Sequence, residues 1–109
     1  MHVTPLEDLR RSETAALFEG AAAGGVAVSM FVTDYPPGRG PDLHLHPYAE
    51  VFYVQTGTGE FTAGDEQRLV EAGHIVVVPP DTPHGFKCRS DRLQVVSVHP
   101  SPQVIQTDL

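Results

Sequence analysis

The chain has 109 residues, enough for one domain with its own core. Seven basic residues against fourteen acidic ones give a net charge of -7, and the Lys and Arg form no dense patch, which excludes a nucleic-acid partner and an anionic membrane surface. Apolar residues make up 40% and charged residues 19%, which excludes a disordered chain, and no apolar run approaches the length of a membrane-spanning helix.

Residues 1–20 carry the one helix signal. Thr4-Pro5-Leu6-Glu7 reads as an N-cap, a proline at the first helical position and a capping-box acid, predicting a helical turn or two. The opening MHVTPLEDLRR has no hydrophobic region of the signal-peptide kind, so the cytoplasm is the expected location. Residues 13 to 19 read as a strand, and AAAGG at 21 to 25 as a turn.

VAVSMFVTD, residues 26 to 34, is a strand with alternating faces: Val26, Val28, Met30 and Val32 on one, Ala27, Ser29, Phe31 and Thr33 on the other. YPPGRGPD is a loop, and residues 50 to 55 are a strand. TGTGE reads as a tight turn, EFTA as a strand running to a Gly64-Asp65 turn, and EQRLVEA as the return strand. HIVVVP, residues 74 to 79, reads as a buried apolar run ended by Pro79-Pro80. HGFKC and LQVVSVHP are further strands, and the tail SPQVIQTDL supplies a short edge strand. About eight short strands separated by turn signals predict an all-β jelly roll or small closed barrel. The single cysteine, Cys88, cannot form an intrachain disulfide and suits a reducing compartment.

The chemistry concentrates in PDLHLHPYAEVFY, residues 41 to 53. His44 and His46 are two apart, so in extended chain their side chains point the same way. Glu50 follows at another even offset, and on its strand Phe52 and Val54 share its face. Two imidazoles and a carboxylate entering an apolar cavity together would be costly without a cation. The candidates for a further ligand are His2, His74, His84 and His99. His84 is the best placed, because it opens a strand just after the stiff corner PPDTP. Three nitrogens and one carboxylate suit Fe(II), Mn(II), Ni(II), Co(II), Cu(II) or Zn(II), one ion per chain, and spacing does not choose among them.

A longer pattern encloses these residues. Gly38 is followed by five residues, His44, one residue, His46, three residues, Glu50, six residues and Gly57. After fifteen intervening residues Gly73 begins a second pattern, with Pro79, Asp81 and His84. The two stretches, 38–57 and 73–88, resemble the two motifs of the cupin superfamily, and the flanking strands fit a single cupin domain over residues 1–109. The resemblance implies a double-stranded β-helix, the jelly-roll barrel, with a metal held by His44, His46, Glu50 and His84. Two positions depart from the family pattern. Asp81 stands where glycine is usual, in a turn that tolerates Asp, and Cys88 stands where asparagine is usual and reads as a small buried thiol.

Other residues are weighed against ordinary structural roles. Phe52 and Phe86 each lie two positions from a ligand candidate, Glu50 and His84, and are the preferred pocket walls. His99 shares a face with Ser97 and is a pocket candidate, against the plainer reading of a strand-end histidine at the surface or a dimer contact. Tyr48 and Arg39 read as exposed loop residues, and His2 and His74 as solvent-exposed. Gly57-Thr58-Gly59 lacks the lysine and helix of a phosphate loop.

The resemblance implies a metal-dependent enzyme acting on a small organic molecule. A dioxygenase is the first expectation, and an isomerase, decarboxylase or cyclase the others. Glu50 would serve as ligand and proton acceptor. The alternative is a non-catalytic metal-containing module that binds or senses a small molecule. A purely structural ion fits less well, since three histidines and one glutamate leave positions open on a six-coordinate metal. Small cupins are often dimers, and residues 1 to 20 are the expected place for pairing with a second copy.

Overall fold

The computed structural model describes residues 1–109. Apart from one 3-10 turn at Leu6–Leu9, its regular structure is all β. The strands are β1 (Ala15–Glu19), β2 (Ser29–Tyr35), β3 (His44–Leu45), β4 (Glu50–Thr56), β5 (Thr58–Ala63), β6 (Glu66–Glu71), β7 (Ile75–Val78), β8 (His84–Cys88), β9 (Leu93–His99) and β10 (Thr107–Asp108). They pair antiparallel in two five-stranded sheets, ordered β1-β2-β9-β4-β7 and β10-β3-β8-β5-β6. This is the jelly roll that the strand pattern predicts. No helix is long and apolar enough to cross a membrane.

Several local expectations are corrected. Thr4 does not cap the N-terminal turn: Pro5 occupies the cap position and no side chain bonds the turn's amides. None of Leu6–Leu9 is buried, and with little apolar surface covered the turn ends after four residues. Residues 13 to 19 hold the expected strand as β1, which pairs with β2, Ala16 opposite Val32 and Phe18 opposite Met30, and forms the outer edge of its sheet.

TGTGE is not a hairpin turn. β4 runs to Thr56 and β5 begins at Thr58, in the other sheet, so Gly57 alone carries the chain across. Gly57 has φ +85°, and a Cβ there would stand 1.8 Å from the Arg92 carbonyl oxygen, so both conformation and space require glycine. Asp81, the departure from the motif glycine, is the one non-glycine residue at positive φ, 57°, in the left-handed region that Asp tolerates.

The run 74 to 79 is not buried throughout. Val78 is buried and Val76 packs against the core, but Ile75 and Val77 are 66% and 62% exposed. β7 is an edge strand with only one face inward, so the alternation of a pleated strand applies even to an all-apolar run. The outward residues join across strands. Val32, Val96, Tyr53 and Ile75 stand in one register row over β2, β9, β4 and β7, and Met30, Val98, Val51 and Val77 stand in the next. The outer face of this sheet is therefore apolar over two full rows.

The interior is graded. Phe52, Val54, Phe61, Val78, Phe86, Cys88, Leu93 and Val95 form the core. Phe61 stacks on Phe86 at 4.8 Å, and Phe52 meets both edge-on. Inward positions then turn polar toward one end: Leu93, Val95, Ser97 and His99 along β9, and Val54, Phe52 and Glu50 back along β4. The polar end lies where the tail returns, with Thr107 and Asp108 paired to Leu45 and His44.

Candidate metal centre

His44, His46, Glu50 and His84 are all buried, and one ligand atom from each lies within 4.8 Å of all the others. The two sheets supply them separately. His44 and His84 are register partners on β3 and β8, while Glu50 opens β4 in the opposite sheet. His46 lies on the crossing between. The shared direction of His46 and Glu50 thus comes from a chain that changes sheets at Pro47 and Tyr48, not from one extended strand.

Each histidine is locked in orientation by a backbone carbonyl. His44 Nδ1 bonds to Asp42 O at 2.7 Å, His46 Nδ1 to Ile105 O at 2.7 Å, and His84 Nδ1 to Thr82 O at 2.8 Å. A carbonyl only accepts, so each Nδ1 carries the hydrogen and each Nε2 is left as the inward nitrogen. His46 Nε2 and His84 Nε2 both lie 3.0 Å from Glu50 Oε1. His46 Nε2 is fully buried with no aligned hydrogen-bond partner. Two lone pairs facing an ionised oxygen at this distance repel unless a proton or a cation lies between them. A divalent cation fits that place, because nitrogen lone pairs and one carboxylate oxygen are the donors it takes.

Protonation follows the same geometry. Burial alone would raise the Glu50 carboxyl; contacts with His46, His84 and His99 outweigh it and hold the carboxyl well below the usual carboxylate range. Burial pulls His44 below its ordinary value, with the Asp42 carbonyl opposing. Burial also acts downward on His46, but Glu50 and the Ile105 carbonyl outweigh it and the ring is raised.

The site opens into a cavity of about 160 Å³. Phe52 and Phe86 line it, joined by Phe31, Tyr35 and Val95, with Ser97 and Gln106 as polar members. Glu50 is its one carboxylate, and no Lys or Arg lines it. Lys87 is turned to the Gly40 carbonyl and Asp42. Arg39, His2 and His74 are exposed, as expected.

His99 and Tyr48 differ from their plainer readings. His99 is not a surface histidine: it is 1% exposed, with Nε2 3.0 Å from Glu50 Oε2. Tyr48 is not an exposed loop residue but half-buried, with its ring stacked on His46 and its hydroxyl 2.8 Å from His99 Nδ1. The signal for His99 was the odd-numbered inward series on β9. The register of Phe52 with Ser97 and Val51 with Val98 brings His99 opposite Glu50, and that pairing is not written in either strand.

The fold is a jelly roll with three histidines and one glutamate buried together at one end. A family model described as "Cupin domain" matches residues 31–99, and the chain belongs to the cupin family. An uncharacterized protein of Streptomyces coelicolor is 28% identical over 98 residues, covering 90% of this chain and 91% of that one. An uncharacterized protein of Methanocaldococcus jannaschii is 34% identical over 61 residues, covering 55% and 49%. Among solved structures, Bacillus subtilis oxalate decarboxylase, studied for its Mn(II) centres, superimposes with TM-score 0.82 at 19% identity over 95% of this chain. An oxalate oxidase in complex with the substrate analogue glycolate gives 0.76 at 21% over 89%. The chain spans 31% of the length of the decarboxylase and 56% of the oxidase, and at these identities the likeness is one of fold.

Proposed function

We propose that this cupin is a metal-dependent enzyme acting on a small, partly apolar organic molecule, with His44, His46, Glu50 and His84 as the metal ligands. The observation that carries this reading is the convergence of His46 Nε2 and His84 Nε2 on Glu50 Oε1, with each ring's Nδ1 already committed to a carbonyl. The Mn(II) centres of the B. subtilis decarboxylase support a divalent ion. When bound, Fe(II) or Mn(II) supplies Lewis-acid polarisation of a substrate oxygen and one-electron chemistry with O2.

The chain's own residues do the rest. Phe31, Phe52, Phe86 and Val95 exclude water and pack an apolar substrate body. Glu50 is the one carboxylate in the cavity; held by the histidines it is a weak base, and it accepts a proton on turning away from the metal. The absence of Lys and Arg from the lining argues against a sugar phosphate or a free dicarboxylate, which would need cationic partners beyond the metal. A dioxygenase-type oxidoreductase is the version favoured. Its test is O2 uptake by the Fe(II)-loaded protein with catechols, flavonols and diketones. Turnover of one of these supports it, and metal binding without turnover of any class favours a binding or sensing module.

The same reading includes a homodimer. Its support is the apolar outer face of β2, β9, β4 and β7, where Val51, Tyr53, Ile75 and Val77 are exposed. A sheet apolar on both faces is ordinarily covered on both.

A further inference from the structure

Glu50 has a second oxygen that the candidate metal set does not use. Oε1 faces His46 and His84; Oε2 lies 3.0 Å from Nε2 of His99. His99 differs from the three ligand candidates in one respect. Its Nδ1 meets a hydroxyl, that of Tyr48 at 2.8 Å, where theirs meet carbonyls. A hydroxyl can donate. The Tyr48 oxygen accepts the Ile105 N–H at 3.3 Å, which leaves the phenolic hydrogen for His99 Nδ1. His99 then carries its own hydrogen on Nε2, where the acceptors in reach are Glu50 Oε2 at 3.0 Å and Ser97 Oγ at 3.5 Å. It is the opposite tautomer from His44, His46 and His84, and makes His99 a donor to the carboxylate and not a ligand.

We infer that Tyr48 and His99 form a positioning pair: they anchor Oε2 of Glu50 and so present Oε1 to the metal. This role rests on the metal reading above. The pair is held rigidly. The His99 ring meets Phe31 edge-on at 5.6 Å and His46 edge-on at 4.7 Å, and the Tyr48 ring lies parallel to His46 at 5.1 Å. A buried carboxylate deprived of this donor has an oxygen without a partner and freedom to turn toward the metal with both oxygens.

The experiment uses the full chain and Mn(II) as the probe, reading both the dissociation constant and the electron paramagnetic resonance spectrum of the bound ion. His99→Leu is expected to weaken Mn(II) binding roughly 10- to 100-fold and to change the spectrum. His99→Gln, which keeps an N–H of similar reach, is expected to recover most of both. Tyr48→Phe, which removes only the hydroxyl, falls between, and decides the matter if His99→Leu does not fold. Wild-type affinity and spectrum in both His99→Leu and Tyr48→Phe overturn the positioning role alone, as does a folded His99→Gln as impaired as His99→Leu. Wild-type protein that takes up neither Mn(II) nor Fe(II) overturns the metal reading itself, and this role with it.

Discussion

The carbonyl of Ile105 accepts the Nδ1 hydrogen of His46 at 2.7 Å. A residue of the tail, 59 positions from His46, thereby sets which nitrogen of a buried imidazole faces Glu50. The tail is tied at further points: the Val104 amide to Glu19 Oε2, the Leu109 amide to the Leu43 carbonyl, and β10 to β3. Removal of residues 105–109 is therefore expected to weaken metal binding by roughly 10- to 100-fold, the loss typical of an outer partner of a metal-bound histidine. Competition against a chromophoric chelator measures it. Unchanged affinity in the truncated chain would show that His46 is oriented without the tail.

A proton and the proposed metal would compete for one place in this site. His46 is raised by Glu50 and the Ile105 carbonyl, so in the metal-free protein its protonation stabilises the fold below the unfolded pKa of about 6.5, and this is lost as pH rises through the higher folded value. A metal takes the neutral ring. His44, held down by burial, gives up its proton more readily and adds less competition. The rise in Tm on adding metal is thus expected to be larger at pH 7.5 than at pH 5.5, as thermal unfolding at fixed metal concentration would read. A rise that shrinks with pH contradicts this assignment.

Val51 stands at the centre of the apolar outer face, between Val77 on β7 and Val98 on β9. Val51→Glu points a charge outward from an already exposed position, so the fold is retained, while a charge buried unpaired between two copies is costly. Sedimentation should show a dimer for the wild type and a monomer for the variant. A wild-type monomer, or a variant that still dimerises, rejects this face as the interface.

Gly57 carries the chain between the sheets at φ +85° with the Arg92 carbonyl where a Cβ would be. Gly57→Ala is expected to destabilise by about 2 kcal/mol or more, combining left-handed strain with a backbone clash. Denaturant unfolding checks it. A loss of under ~0.5 kcal/mol would mean that the crossing relaxes freely.

The sequence carried the fold class and most strands because the period-2 alternation and the Gly and Pro breaks are local signals. The spacing of His44, His46, Glu50 and His84 was legible through the motif. What stayed hidden depended on pairing. His99 looked like a strand end because nothing in LQVVSVHP says that β9 lies beside β4. Tyr48 looked like loop surface because its partners, His99 and Ile105, are 51 and 57 positions away. Ile75 and Val77 looked buried because composition does not distinguish an edge strand from a central one.

His44, His46, Glu50 and His84 are proposed to hold one divalent metal. The most direct measurement is the metal content of protein purified without chelators and then reconstituted, by elemental analysis, for the wild type and for His84→Ala. The wild type is expected to hold one ion per chain and His84→Ala far less, with both chains folded. Equal metal content in the two, whether both full or both empty, would contradict the ligand assignment.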